Sequence, residues 1–310
     1  MWKRGVQNMA NKTIKFDYFQ VYCRFADDEV AYRLFDLEPI LERAREIEIS
    51  ERTYTYYDEL SRLQEVYPMG DGLWGLRFIR IRPTMLPGIA TEEGDFEFLN
   101  LEEGEYVGEE VTALYDPEYC VLMLQRNRLS LGPNGVVAYF NCAWRQPGQV
   151  IELRPIVLPI NLGEFTREKL YRSLSINIAD VRANEIRQPR SSLTRALRRL
   201  SEFEGFNVNI KVSLGPRGRR NDTLNQAEVI NTIQELYEHT GVTKFELKKK
   251  DSADDTVETF DLIEQRLRST ASFTVSREEI IEHIRVLRVM EGLYRDTRER
   301  FETIIRPGDD

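Results

Sequence analysis

Residues Thr13–Arg24, TIKFDYFQVYCR, constrain the fold of this chain more than any other stretch. Ile14, Phe16, Tyr18, Gln20 and Tyr22 alternate with Lys15, Asp17, Phe19, Val21 and Cys23. Successive side chains of a strand point to opposite faces, so a period of two marks β-structure. Both faces here are largely apolar, which places the strand inside a sheet.

The rest of the N-terminal half fits the same layout. Leu37, Ile40, Leu41 and Ala44 recur at helical spacing within Leu37–Ile47. Leu73–Arg82, Glu110–Tyr115 and Tyr119–Gln125 are β-rich, and Tyr115-Asp116-Pro117-Glu118 marks the turn between the last two, because proline pre-sets φ for a turn. The spacing therefore predicts a leader over 1–12 and a β-rich N-terminal domain over 13–149.

A different rhythm follows. Ile151–Val157 and Ser173–Ala179 read as strands. Pro189-Arg190-Ser191-Ser192 opens a helix to about Phe203 with Leu193, Ala196, Leu197, Leu200 and Phe203 on one stripe. Phe206–Leu214 alternates cleanly, with Phe206, Val208, Ile210, Val212 and Leu214 inward and Asn207, Asn209, Lys211 and Ser213 outward. A helix near Asn225–His239, a strand Val242–Lys248, a helix Val257–Arg268 and a strand Ala271–Val275 come next, and Ser276 with Glu279 forms a capping box for a final long helix to about Ile305. Strands alternating with helices predict an α/β domain over 150–310, so the fold class is α+β or α/β.

With 310 residues the chain can bury a sizeable core, and fifteen Phe, fourteen Tyr and three Trp supply the area for one. Its longest apolar runs are too short to span a bilayer, and the first 25 residues lack the apolar core of a signal peptide. Three cysteines without metal spacing and only two histidines fit a reducing cytoplasm and predict neither a zinc site nor a cofactor.

Charge is sorted along the chain. From Pro83 to Gln125 there are eleven acidic residues and no Lys or Arg. From Arg182 to Arg220, nine Arg and Lys211 stand against Glu185, Glu202 and Glu204, a balance of +7 within a chain of net charge −9. Two surfaces of opposite sign, and so two kinds of partner, are expected. Arg195, Arg198 and Arg199 share one helix face at spacings of three and four. Arg217, Arg219 and Arg220 follow in a glycine-containing loop, and Lys211 points outward from the strand between. Arg pairs with phosphate bidentately, so these seven residues form a candidate nucleic-acid interface, with duplex favoured because exposed aromatics for base stacking are few. The blander alternatives are a solvated helix face and an intramolecular match to the acidic segment, which could equally serve a protein partner.

Other motifs say less. Gly70-Asp71-Gly72-Leu73-Trp74-Gly75 matches G-x-G-x-x-G by letter, but the dinucleotide fingerprint needs a strand before it and a helix after it; here a strand follows, which predicts a hairpin loop. Glu246-Leu247-Lys248 resembles the acid-x-lysine element of metal-dependent nucleases, with Asp222 the one upstream acid available by position. The acidic segment lacks the spacing of a calcium loop, and neither His239 nor His283 has a nucleophile nearby in sequence. No catalytic signature is present.

The segments Lys15-Phe16-Asp17-Tyr18-Phe19, Gly104–Glu109, and Leu114-Tyr115-Asp116-Pro117 with Met123–Asn127 resemble a bacterial and phage-associated family of unknown function. A remoter likeness of architecture, a β-rich half followed by an α/β half, is to the DNA-binding subunit of the Kiwa antiphage system. That resemblance implies a cytoplasmic defence or regulatory protein that senses nucleic acid, and it carries over no functional residue. The resulting expectation is a non-catalytic nucleic-acid-binding protein. A protein–protein adaptor or homodimer with paired acidic and basic surfaces is the alternative, and a metal-dependent nuclease is the third reading.

Overall fold

The computed structural model describes residues 10–25, 32–84, 86–158, 165–179, 189–200, 207–215, 218–237, 239, 241–276 and 281–304. The chain forms two compact units, one of residues 1–153 with 268–301 and the other of 154–267 with 302–310. In chain order the first run is β1 (Ala10–Phe25), β2 (Tyr32–Leu34), α1 (Glu38–Glu46), β3 (Thr53–Tyr56), β4 (Glu59–Pro68), β5 (Trp74–Arg82), β6 (Gly88–Ala90), β7 (Phe96–Phe98), β8 (Val107–Asp116), β9 (Val121–Gln125), α2 (Pro133–Trp144) and β10 (Gln149–Pro155). The second unit holds β11 (Leu170–Ala179), α3 (Ser192–Leu200), β12 (Asn207–Ser213), α4 (Gln226–Leu236), β13 (Val242–Lys250) and β14 (Glu258–Asp261). The chain then returns to the first unit with β15 (Arg268–Val275) and α5 (His283–Arg298), and the single turn α6 (Phe301–Ile304) begins at the end of that unit.

The strand expected over Thr13–Arg24 is β1, the longest in the protein and interior to its sheet. The main path runs β10-β1-β9-β8-β5-β4-β3, and β15 and β2 also pair with β1. Six consecutive residues of β8, Val111–Asp116, are buried, which requires cover on both sheet faces. Val111, Ala113 and Tyr115 belong to a core with Phe78, Leu122, Leu37 at the cap of α1, Leu41 of α1 and Tyr139 and Phe140 of α2. On the opposite face α5 provides the cover. Thr112 Oγ1 lies 2.8 Å from His283 Nδ1, and Tyr294 donates to Asp116 Oδ2 at 2.8 Å. Val286, Leu287, Met290 and Tyr294 are all buried. Burial of such side chains contributes roughly 1.5–3 kcal/mol each, against about 0–1 kcal/mol for an exposed ion pair. The apolar stripe therefore seats the helix.

The G-x-G-x-x-G segment is a turn between antiparallel strands, as its context predicts. Pro68 pairs with Trp74, the Met69 N–H donates to the Leu73 carbonyl at 2.7 Å, and Asp71 and Gly72 take the positive φ values of 59° and 73°. Gly75 has another role. A Cβ there would lie 2.6 Å from Leu287 Cδ2 and 3.0 Å from Tyr67 Cε2, so the missing side chain lets α5 settle on β5.

In the second unit the sheet order is β12-β11-β13-β14, and every pairing is antiparallel. The fold is thus α+β. Ile176, Ile178, Phe245 and Leu247 share a core with Leu197 of α3 and Val229 and Ile233 of α4. The helix expected over Val257–Arg268 is not formed: Glu258–Asp261 pairs with β13, and Asp261 then caps a 3₁₀ turn by accepting from the Ile263 N–H at 2.9 Å. Its apolar spacing fits a helix, yet Thr259 and Phe260 gain a strand partner, and tertiary pairing overrides local periodicity. The final helix begins at His283, with Glu282 as N-cap, and Glu279 of the expected capping box lies outside the described residues.

Two outcomes follow from the way α5 is seated. Gly75→Ala forces Leu287 and Tyr67 apart and should lower stability by about 1–3 kcal/mol, read as a reduced midpoint in denaturant; an unchanged midpoint would show that α5 does not press on β5. Burial lowers the His283 pKa to about 4 from 6.5, with Arg77 adding to the shift and Glu65 opposing it. The unfolded chain therefore binds the proton more readily than the folded one between these values. The contribution of His283 is intact above pH 6.5 and lost as pH falls toward 4, by roughly 3 kcal/mol. Thermal midpoints across that window should be flatter in His283→Gln, and equal slopes would refute the assignment.

Candidate nucleic-acid interface

Opposite its helices, the sheet of the second unit presents a polar face built in cross-strand rows. Asn209, Asn177 and Lys244 form one row; Lys211, Ser175, Glu246 and Asp261 the next; Ser213, Ser173, Lys248 and Thr259 the third. Directly opposed side chains in such rows are in reach of one another. Lys211, Lys244 and Lys248 are exposed around the half-buried Glu246. A hydrogen bond from Lys244, at 2.9 Å, holds the Glu246 carboxyl below its usual range, and Lys248 and Lys211 add to the effect.

The arginines of α3 occupy a different surface. Leu197 packs into the apolar core, so Arg195, Arg198 and Arg199 project outward on the far side of that helix, all exposed. Lys211 faces away from α3 and does not join them. The Arg195 guanidinium is drawn back to its own helix start, donating to the Arg190 carbonyl at 2.8 Å and Ser192 Oγ at 3.1 Å. The N-terminus of α3 is filled by carboxylates from α4. Glu235 accepts from the Arg190 N–H, from the Ser191 N–H at 3.1 Å and from Thr194 Oγ1 at 2.7 Å, and Glu228 accepts from the Ser192 N–H. That amide holds the Glu228 carboxyl below its usual range. These acids satisfy the amides that would otherwise receive an anion.

In the loop after β12, Arg219 and Arg220 are exposed, and Arg217 lies outside the described residues. Arg172 clamps the loop by donating to the carbonyls of Arg219 and Asp222, each at 2.7 Å, and the Arg219 N–H donates to Asp222 Oδ2 at 2.7 Å. Arg220 stands 3.9 Å from Asp254, both almost fully exposed, a pairing of little energetic weight.

The nuclease reading finds Glu246 and Lys248 on one face of β13, two residues apart as strand geometry requires. Asp222 serves its own loop, and among the described residues no three His, Cys, Asp or Glu side chains are grouped to hold a metal ion. Cys23, Cys120 and Cys142 are free thiols.

Four acids of the acidic segment have their counterparts inside the first unit. Glu109 pairs with Arg82 at 2.7 Å, Glu110 with Arg77, Asp116 with Arg298 at 2.9 Å, and Glu118 with Arg298, all within the first unit. Arg77 also pairs with Glu65 at 2.7 Å on one wall of a cleft of about 970 Å³ that includes Glu109, Glu110, Glu282 and His283. Sequence reasoning passed over Lys244 and the arginines of β5, and took Lys248 only as part of a nuclease-like element. The signal was present in each: Lys244, Glu246 and Lys248 alternate with Phe245 and Leu247, and Arg80 and Arg82 alternate with Ile79 and Ile81.

No described helix is long and apolar enough to cross a membrane. Residues 9–302 match the family described as "Family of unknown function (DUF6731)", and the chain belongs to that family. No curated protein matches the chain.

Proposed function

We propose that this member of the family is a non-catalytic nucleic-acid-binding protein that contacts phosphates through the exposed cations of its second unit. One observation supports this reading above the others. Among the described residues the helices of that unit pack on one face of its sheet, and cations stand exposed on both sides: Lys211, Lys244 and Lys248 on the other sheet face, and Arg195, Arg198 and Arg199 on the outside of α3. Arg219 and Arg220 extend the set, and Arg217 belongs to it by sequence.

Arg offers a planar fork to phosphate and Lys a compact charge, so the contacts position a backbone without reading bases. The described rows of the polar sheet face carry hydroxyls, amides, lysines and the carboxylates of Glu246 and Asp261, and no aromatic ring, which favours duplex over stacked single strands. Because Glu228 and Glu235 occupy the start of α3, phosphates are met by side chains and not by helix amides. Placement in a bacterial antiphage defence or phage-related assembly is the part of the proposal taken from architectural resemblance alone.

Titration against labelled duplex DNA, single-stranded DNA and RNA at about 50 and 200 mM salt tests the reading, since log affinity falls linearly with log salt at a slope near 0.9 per phosphate contact on duplex. Arg195→Ala with Arg199→Ala, Lys244→Ala with Lys248→Ala, and Arg217/Arg219/Arg220→Ala each remove one group of contacts. At least one of these variants should bind more weakly and with a shallower slope. Absence of binding at low salt, or three unchanged slopes, would sink the proposal.

A further inference from the structure

Between Pro83 and Tyr106 the first unit sends out a small hairpin that pairs with no third strand among the described residues. Gly88 pairs with Phe98, Ile89 with Glu97 and Ala90 with Phe96, and β6 and β7 form a two-stranded sheet by themselves. Its turn is held by the Thr91 N–H donating to the Asp95 carbonyl at 2.9 Å and by the Asp95 N–H donating to Thr91 Oγ1 at 3.0 Å.

This pairing leaves large apolar side chains uncovered. Phe96 and Phe98 share one face, their ring centroids 5.5 Å apart, and the residues opposite are Ala90 and Gly88. The Phe96 ring lies over Gly88, where a Cβ would come within 2.1 Å of it. Small opposite residues give the rings no side chain to pack on from above. Phe98 is 82% exposed, Phe96 61%, Ile89 on the other face 53%, and the nearby Tyr106 52%. Single exposed apolar residues are ordinary on a protein surface, but paired aromatic rings at this exposure mark a contact site, because aromatics concentrate in the centres of interfaces.

Charge identifies the occupant. Glu92, Glu93, Asp95, Glu97, Glu102, Glu103 and Glu105 are all exposed in the hairpin and the segment after it, and no Lys or Arg occurs from Pro83 to Gln125. The acids of β8 and the following turn are already tied to Arg82, Arg77 and Arg298. The hairpin therefore joins a bare apolar centre to an acidic rim. Nucleic acid and anionic lipid are repelled by that rim. A polypeptide segment rich in Lys or Arg and carrying apolar side chains matches it in both respects.

We propose that the β6–β7 hairpin is a docking site for a basic, apolar-bearing segment of a partner protein. The site is independent of the nucleic-acid reading, which rests on the second unit.

The test uses the full chain and a fluorescent peptide alternating Lys with Leu and Phe, with a control peptide in which Glu replaces Lys. Anisotropy should show binding of the basic peptide that weakens as salt rises, and no binding of the acidic one. Phe96→Ser with Phe98→Ser should weaken binding at least tenfold without shifting the thermal midpoint, since neither ring is part of the core. Glu92→Gln, Glu93→Gln, Asp95→Gln and Glu97→Gln together should weaken it and flatten its salt dependence. Equal affinity in the Phe96/Phe98 variant would overturn the proposal. So would binding to phosphatidylserine vesicles through these rings, or a wild-type oligomer that becomes monomeric in the same variant, which would make a membrane or a second copy the occupant.

Discussion

The sheet of the first unit is buried on both faces, and much of the architecture follows from that requirement. Thr112, Leu114 and Asp116 of β8 face away from α1 and α2 and need a second layer, which no described helix of the N-terminal half supplies. The end of the chain supplies it. β15 extends the sheet beside β1, and α5 carries Leu287, Met290 and Tyr294 onto the uncovered face. Asp116, only 1% exposed, makes this contact specific: it accepts from Tyr294, pairs with Arg298 at 2.9 Å, and receives the Glu118 N–H at 2.9 Å. Taking a carboxylate out of water costs several kcal/mol unless it is paired and hydrogen-bonded, so α5 in another register would leave that cost uncompensated. Burial, with the adjacent Asp116, pushes the Tyr294 hydroxyl far above its usual pKa, so it remains a donor.

Electrostatics divides along the same lines. The first unit pairs its β5 arginines with Glu59, Glu65, Glu109 and Glu110 across neighbouring strands, which neutralises that part of the sheet in place. The hairpin of β6 and β7 lies outside this matching and keeps its acids exposed. In the second unit Glu228 and Glu235 are committed to the start of α3, and Glu246 to Lys244, while further cations stand exposed. Exposed charge of each sign thus survives at separate places in the chain, and the paired charge serves structure.

Where one strand's own side chains settled its surroundings, the sequence was readable. The double-sided apolar alternation of Thr13–Arg24 does put β1 inside the sheet, Pro117 does close the β8–β9 turn, and the strand following the glycine-rich segment does make it a hairpin. Features that depend on distant partners were not readable. Val257, Phe260, Ile263 and Leu267 have helical spacing, but β13 offers Phe260 and Thr259 a ladder, and no local pattern records that offer. Lys211 was correctly placed outward on its strand, yet outward there means away from α3, because α3 packs on the inward side. Helix face and strand face each obey their own period; which side the helix covers is set only when the layers assemble. The exposure of Phe96 and Phe98 was hidden for the same reason, since a Phe in a strand reads as core until its neighbours prove to be Gly88 and Ala90.

The net charge of −9 sets the conditions under which a phosphate backbone could be held. At long range such a chain repels nucleic acid, and attraction begins only where local cations dominate within a Debye length, about 8 Å at physiological salt. Added salt then acts in two opposing ways. It weakens the contacts of the arginines and lysines by reducing the gain from counterion release, and it screens the repulsion from the exposed acids. The observed salt dependence should therefore be shallower than the number of phosphate contacts alone implies, and neutralising the acids of the hairpin should steepen it. A protein with matched surface charge would show neither behaviour. The sorting of charge visible in the sequence thus has a thermodynamic consequence for the proposed binding that is the same for any nucleic acid.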